Sequence, residues 1–206
     1  MNKQEFKELV SPKHSAIVVI DLQNDFCHSD GPFGKAGINM TLLQQAAHNT
    51  QKFLPEARRR NVPVIFVRAV HSEGNNSPAW MRKRGSKGLQ TCMEGTWGEK
   101  FFVVQPAEGE TTVIKHRYSA FIGTDLDLIL RSRRIQAVIL TGVGTNVCVE
   151  STARDGFQMD YDIVLLSDCT GASTKEAHQG ALDVLAQHFG YVVSSEDVLK
   201  AWGKAP

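Results

Sequence analysis

Along the chain, short unbroken runs of apolar, β-branched residues alternate with longer stretches whose apolar positions recur every three or four residues. Residues 16–20, Ala-Ile-Val-Val-Ile, form one such run and stop at Asp21, as a strand covered on both faces of a parallel sheet does. Positions 40–61 carry Leu42, Leu43, Ala46, Ala47, Phe53, Leu54 and Ala57 at helical spacing, and 62–67 read as a second buried strand. Val113 and Ile114 mark a third. The alternation then tightens: a helix over 126–133, a strand over 137–140, a helix from about Asn146, a strand over 163–166, a last helix over 175–188 and a final strand over 191–193. Strands alternating with helices imply right-handed βαβ units. The expected fold class is therefore α/β, a doubly wound, six-stranded, mainly parallel sheet in the order 3-2-1-4-5-6 with helices on both faces.

One stretch breaks the rhythm. Residues 69–109 are rich in Gly, Ser, Asn and charge, with Trp80 and Trp97 as their large apolar side chains. A connection this long in a compact domain is usually a lid or binding loop, although a surface excursion with its tryptophans packed on the core fits as well. The 206 residues suit a single domain spanning 1–206, with the lid or binding loop at about 69–110.

Charge and cysteine content narrow the function classes. A net charge of +1 without runs of one sign leaves no electrostatic footprint for nucleic acid or an anionic membrane. No apolar run is long enough to span a bilayer, and residues 1–12 lack the apolar core of a signal peptide, so a cytoplasmic protein is expected. The four cysteines, Cys27, Cys92, Cys148 and Cys169, are far apart, form no CxxC pair and read as reduced thiols.

In open α/β sheets ligands bind beyond the carboxyl ends of the strands, where the strand order reverses. Asp21 ends the first predicted strand, Lys115 ends the third, and Cys148 follows the fourth through Gly142-Val-Gly-Thr-Asn146. A sulfur near a helix amino terminus, with an ammonium close by, is favoured as thiolate, and a carboxyl group can take its proton and deliver it to a leaving amine. Singly, each residue has an ordinary explanation: a packed Cys, a turn-capping Asp, a solvated Lys. Their joint placement favours catalysis.

Three segments, Ile20-Asp-Leu-Gln-Asn-Asp-Phe26, Ile114-Lys-His-Arg-Tyr-Ser-Ala-Phe121 with Gly123-Thr-Asp-Leu-Asp127, and Thr141-Gly-Val-Gly-Thr-Asn-Val-Cys-Val149, resemble the isochorismatase-like cysteine hydrolase superfamily over nearly the whole chain. The resemblance implies an Asp, Lys, Cys triad at Asp21, Lys115 and Cys148. It also implies an oxyanion hole of backbone amides, those of Gly144 and Cys148, beside a cis peptide at Val143-Gly144. Within the superfamily, residues 117–121 and 146–155 look most like ureidoacrylate amidohydrolase and other ureide-cleaving enzymes, such as biuret and triuret hydrolases and N-carbamoylsarcosine amidase. That implies a small amide or ureide substrate, no cofactor, and a homodimer or homotetramer.

Nicotinamidases, also relatives, carry a metal site of an Asp and histidines after the second strand. Here that region has His71 without a second histidine close by, so no metal is expected. Gln23, Phe26, Arg68, His71 and Tyr118 are the candidate substrate contacts. Competing readings are a nicotinamidase-like amidase, isochorismate hydrolysis, which the Cys speaks against, and a redox sensor or scaffold on the same fold, for which Cys169 is the candidate resolving thiol. A phosphatase would want a second Asp two residues after Asp21, and a dinucleotide site a GxGxxG turn; neither is present.

Overall fold

The computed structural model describes residues 2–84 and 90–204. Its elements, in chain order, are α1 (Lys3–Leu9), β1 (Ser15–Ile20), the single turns α2 (Asn24–Cys27) and α3 (Pro32–Lys35), α4 (Thr41–Arg58), β2 (Val64–Ala69), α5 (Pro78–Arg84), β3 (Thr111–Lys115), α6 (Leu126–Ser132), β4 (Ala137–Val143), α7 (Glu150–Gln158), β5 (Asp162–Gly171), α8 (Lys175–His188), β6 (Tyr191–Val193) and α9 (Ser195–Trp202). The six strands form one sheet in the order β3-β2-β1-β4-β5-β6. Every pairing is parallel, so "mainly parallel" becomes wholly parallel. β1 is buried along its whole length, which is why it reads as an unbroken apolar run rather than an alternating one.

Alternate residues of the strands feed two separate cores. Ile17, Val19, Phe66, Ile139 and Leu166 pack with Leu43, Phe53 and Leu54 of α4 and Val198 of α9, with Phe6 and Leu9 of α1 at the margin. Ala16, Val18, Ile65, Val138 and Leu165 pack on the opposite face with Leu126 and Leu130 of α6, Ala153 of α7 and Leu182 and Leu185 of α8. Helices therefore cover both faces, as expected. None among the described residues is long and apolar enough to cross a membrane.

Three elements differ from expectation. α8 is not the last helix, because α9 follows β6, capped by Ser194 and Asp197 in a reciprocal capping box. The amino-terminal residues form α1, capped in the same way by Asn2 and Glu5. Among its described residues the stretch 69–109 contains α5 and the 3-10 turns Glu73–Asn75 and Trp97–Glu99. It is pinned to the sheet by three consecutive polar residues after β1. The Gln23 amide donates to Ala69 O and Glu99 O, Asn24 Nδ2 donates to Trp97 O, and Asp25 Oδ2 accepts from Cys92 N at 2.6 Å.

Candidate active site

The order of the strands reverses between β1 and β4, and the catalytic candidates meet there. Asp21 leaves β1 with a left-handed φ of 54°, a conformation that costs of order 1 kcal/mol or more for a residue with a Cβ and clusters at functional sites. β4 ends in Gly142, Val143 and Gly144, with a cis peptide between Val143 and Gly144, at the position the resemblance implied. Gly142 has φ 129°, and a Cβ there would meet Ile20 O at 2.0 Å, so the strand carrying the cysteine approaches the one carrying Asp21 more closely than any other residue permits. Thr145–Val149 then form a π-helical turn leading into α7, and Cys148 lies on it. Thr145 Oγ1 is held at 2.8 Å from His178 Nδ1 of α8.

Lys115, at the end of β3, is almost wholly buried and uses its ammonium in three directions: Asp21 Oδ2 at 2.8 Å, Arg117 O at 3.0 Å and Cys148 Sγ at 3.4 Å. A lysine has three N–H donors, so this set locates each one. Burial pulls its pKa down, but the charge of Asp21 and the neighbouring Cys148 more than offset this and hold it raised. The lysine stays an ammonium. Asp21 is fully buried, and apart from the Lys115 ion pair neither carboxylate oxygen has a hydrogen-bond partner among the described residues. A buried anion with unused lone pairs beside a thiol is placed to act as a base.

The expected resting thiolate does not follow from this arrangement. Burial pushes the Cys148 thiol up to about 12, the Asp21 charge adds to the rise, and Lys115 only partly opposes it. Desolvation of the sulfur, with the Asp21 charge, outweighs the ammonium, so near neutrality the cysteine rests as a thiol.

Asp21, Lys115, Gly144 and Cys148 line one cavity of about 360 Å³, together with Phe26, His71 and Tyr118 among the expected contacts. Two others are elsewhere. Gln23 is fully buried, with its amide nitrogen and oxygen both engaged by backbone, including Ala69 N donating to Oε1. Arg68 points away towards Glu99, 3.7 Å from Oε1, because its neighbour Ala69 takes the cavity side of β2. Neither lines the cavity.

Trp80, Arg84, Arg117, Asn146 and Ser173 also line the cavity and were not foreseen as site residues. Arg117 and Asn146 lie inside the matched motifs, which was the available signal. Arg84 sits in a basic Arg-Lys-Arg run that reads as a solvated helix face, and nothing in the sequence distinguishes it. His71 Nε2 is 3.2 Å from Arg84 Nη1. Because arginine can only donate, Nε2 is the acceptor and the ring proton sits on Nδ1, which has no partner among the described residues. Burial first, and then the surrounding cations, lower the His71 pKa to about 4.

The Isochorismatase domain family matches residues 15–197. The chain belongs to this family. It is 36% identical to the ureidoacrylate amidohydrolase RutB of Pseudomonas syringae pv. syringae (strain B728a), over an alignment that covers 91% of this chain and 83% of that protein. The crystal structure of an isochorismatase-like hydrolase from Alkaliphilus metalliredigens superposes with a TM-score of 0.81 at 33% identity, covering 92% of this chain and all of the other. That of N-carbamoylsarcosine amidase from Thermoplasma acidophilum gives 0.75 at 27%, covering 89% and 97%. The matched span contains Asp21, Lys115 and Cys148.

Proposed function

We propose that this isochorismatase-family chain is a cysteine-dependent amidohydrolase that cleaves a terminal carbamoyl C–N bond of a small ureide. The observation that carries the reading is the linked contact set Asp21–Lys115–Cys148, at 2.8 and 3.4 Å, buried at one end of a cavity sized for a small molecule. The ureide is supported by the similarity to a ureidoacrylate amidohydrolase and to an N-carbamoylsarcosine amidase.

In the scheme, Cys148 passes its proton to Asp21 as its sulfur attacks the carbamoyl carbon. The backbone amides of Gly144 and Cys148 receive the developing oxyanion. Protonated Asp21 gives the proton to the departing nitrogen, ammonia leaves, and a thioester-type acyl enzyme remains. Water then attacks, Asp21 accepts its proton, and the sulfur departs and regains a proton as the carbamic acid is released. Lys115 remains protonated, holding Asp21 in place and stabilising the sulfur anion while it exists. The scheme uses no cofactor.

The stretch 69–110 serves as the binding loop, since His71, Trp80 and Arg84 from it line the cavity of their own chain. The redox reading is disfavoured because Cys148 and Cys169 pack in the cores on opposite faces of the sheet. The proposal includes a cytoplasmic location and self-association as a dimer or tetramer, for which exposed Ile114, Ile122 and Leu128 offer apolar surface; light scattering that finds only monomer removes the self-association.

Ammonia release from ureidoacrylate, N-carbamoylsarcosine, biuret, triuret and nicotinamide tests the reading. Release from a ureido compound is the expected result. Release from nicotinamide alone, or silence across the panel from folded protein, contradicts it.

A further inference from the structure

The cavity's charge is unlike that of the molecule around it. The whole chain carries +1, yet Lys83, Arg84, Lys115 and Arg117 all line the cavity against one carboxylate, Asp21, which is already paired with Lys115. Two of these cations are gathered on a single side chain. The guanidinium carbons of Arg84 and Arg117 each lie 5.1 Å from the centroid of the Trp80 ring, and that ring in turn packs against Tyr118 at 4.9 Å and His71 at 5.6 Å.

Among the described residues no carboxylate pairs with Arg84 or Arg117, and the other residues, 1, 85–89 and 205–206, contain no Asp or Glu. The arginines are fixed instead by neutral acceptors: Arg117 Nη1 donates to Asn75 O and His116 O, and Arg84 to Thr91 Oγ1 and His71 Nε2. Like charges held together half-buried repel one another, and a bound anion relieves that repulsion. The neutral ring of His71 adds an Nδ1–H, buried without a partner among the described residues, on the same wall.

We propose that Arg84 and Arg117, held against Trp80, form a carboxylate-binding subsite, and that the substrate is an anionic ureide bearing its carboxylate at the end remote from the carbamoyl group attacked by Cys148. A planar guanidinium matches a carboxylate through paired hydrogen bonds. The apolar walls from Phe26, Phe33, Ile38 and Leu43 suit the short carbon chain between the two ends. The proposal rests on the ureide reading above and selects within it: neutral biuret and triuret lack the group this subsite takes.

Calorimetric titration of the Cys148→Ala protein with ureidoacrylate and with its primary amide separates the two ligand classes by one charge at nearly constant shape. The acid is expected to bind about 10- to 100-fold more tightly, the range for a charge-assisted contact. Adding Arg117→Gln or Arg84→Gln is expected to remove most of that ratio. Should either arginine variant fail to fold, salt gives the same information, since raising ionic strength should weaken binding of the acid and not of the amide. Equal affinities, weaker binding of the acid, or binding of neither ligand would overturn the subsite. Turnover by the unmodified enzyme reports on the ureide reading separately: equal kcat/KM for acid and amide removes the subsite and leaves the ureide, whereas selective binding of the acid without ammonia from any ureide keeps the subsite and removes the ureide.

Discussion

At the scale of single residues, the site is governed by what burial does to charge. Cys148, Lys115 and Asp21 sit in one buried corner where the thiol's proton is held more firmly than in water, so activation depends on the neighbouring base rather than on a standing thiolate. Replacing Asp21 with Asn therefore has two opposite effects. Turnover should fall by about 10²- to 10⁴-fold through loss of the proton shuttle, while alkylation of Cys148 by iodoacetamide should become faster at a given pH, because the Asp21 charge raises the thiol's pKa. Slower alkylation in Asp21→Asn would contradict this assignment of charge. Lys115→Ala should act the other way, since loss of the ammonium pushes the thiol further up; an unchanged alkylation rate at every pH would remove that role for the lysine.

His71 sets a second expectation. Its pKa is about 4 in the fold against 6.5 for the free group, so between these values the unfolded chain binds a proton that the native one does not, and stability falls as the pH drops from about 6.5 towards 4. His178, also lowered, acts in the same sense, and Asp25, held above its usual range by burial, opposes it at the acid end. Urea unfolding at pH 7.5 and 5 should show less acid sensitivity in His71→Gln than in the parent. The His71 contribution is about 3 kcal/mol at most over the full window, and equal pH dependence of the two proteins would show that His71 is not the group responsible. Asp21, Lys115 and Cys148 were legible in the sequence because the first two stand at strand ends and the third follows a glycine-bearing strand-to-helix turn. Gln23 and Arg68 do not line the cavity, because a place in or near a motif does not say which way a side chain turns.

At the scale of elements, the fold follows from strands whose apolar runs are unbroken and helices with a clear repeat. β6 and α8 lie where the pattern put them, whereas β4 and β5 continue past the predicted ends through Gly142 and Gly171, residues that carry no apolar signal. α1 and α9 escaped because their apolar stripes are short; their capping residues, Asn2 with Glu5 and Ser194 with Asp197, were the available clue. Two glycines test how backbone geometry is used. Gly142→Ala should destabilise by more than about 2 kcal/mol, since its Cβ would overlap the backbone of β1. Gly180→Ala, in open space on α8, should stabilise by up to about 1 kcal/mol through helix propensity. Chemical denaturation of both checks this pair, and a tolerated Gly142→Ala would mean that β1 and β4 can part without cost.

At the scale of the whole molecule, one wholly parallel sheet with a core on each face leaves a single edge where the strand order reverses, and the chain gathers Asp21, Lys115 and Cys148 there from three separate segments. Residues 23–25 fasten the long excursion to that edge, so His71, Trp80 and Arg84 reach the same cavity. A binding loop was expected of the excursion, but its placement was not legible there, because its order comes from the buried side chains of residues 23–25, which follow β1, rather than from periodicity. The proposed function requires that Cys148 form a covalent acyl intermediate with a carbamoyl substrate. Intact-protein mass spectrometry of an acid-quenched reaction with ureidoacrylate detects it. A mass increase equal to the substrate less ammonia is expected, located on the Cys148 peptide and absent from Cys148→Ala. Ammonia release undiminished in Cys148→Ala, or an adduct on another cysteine, would contradict it.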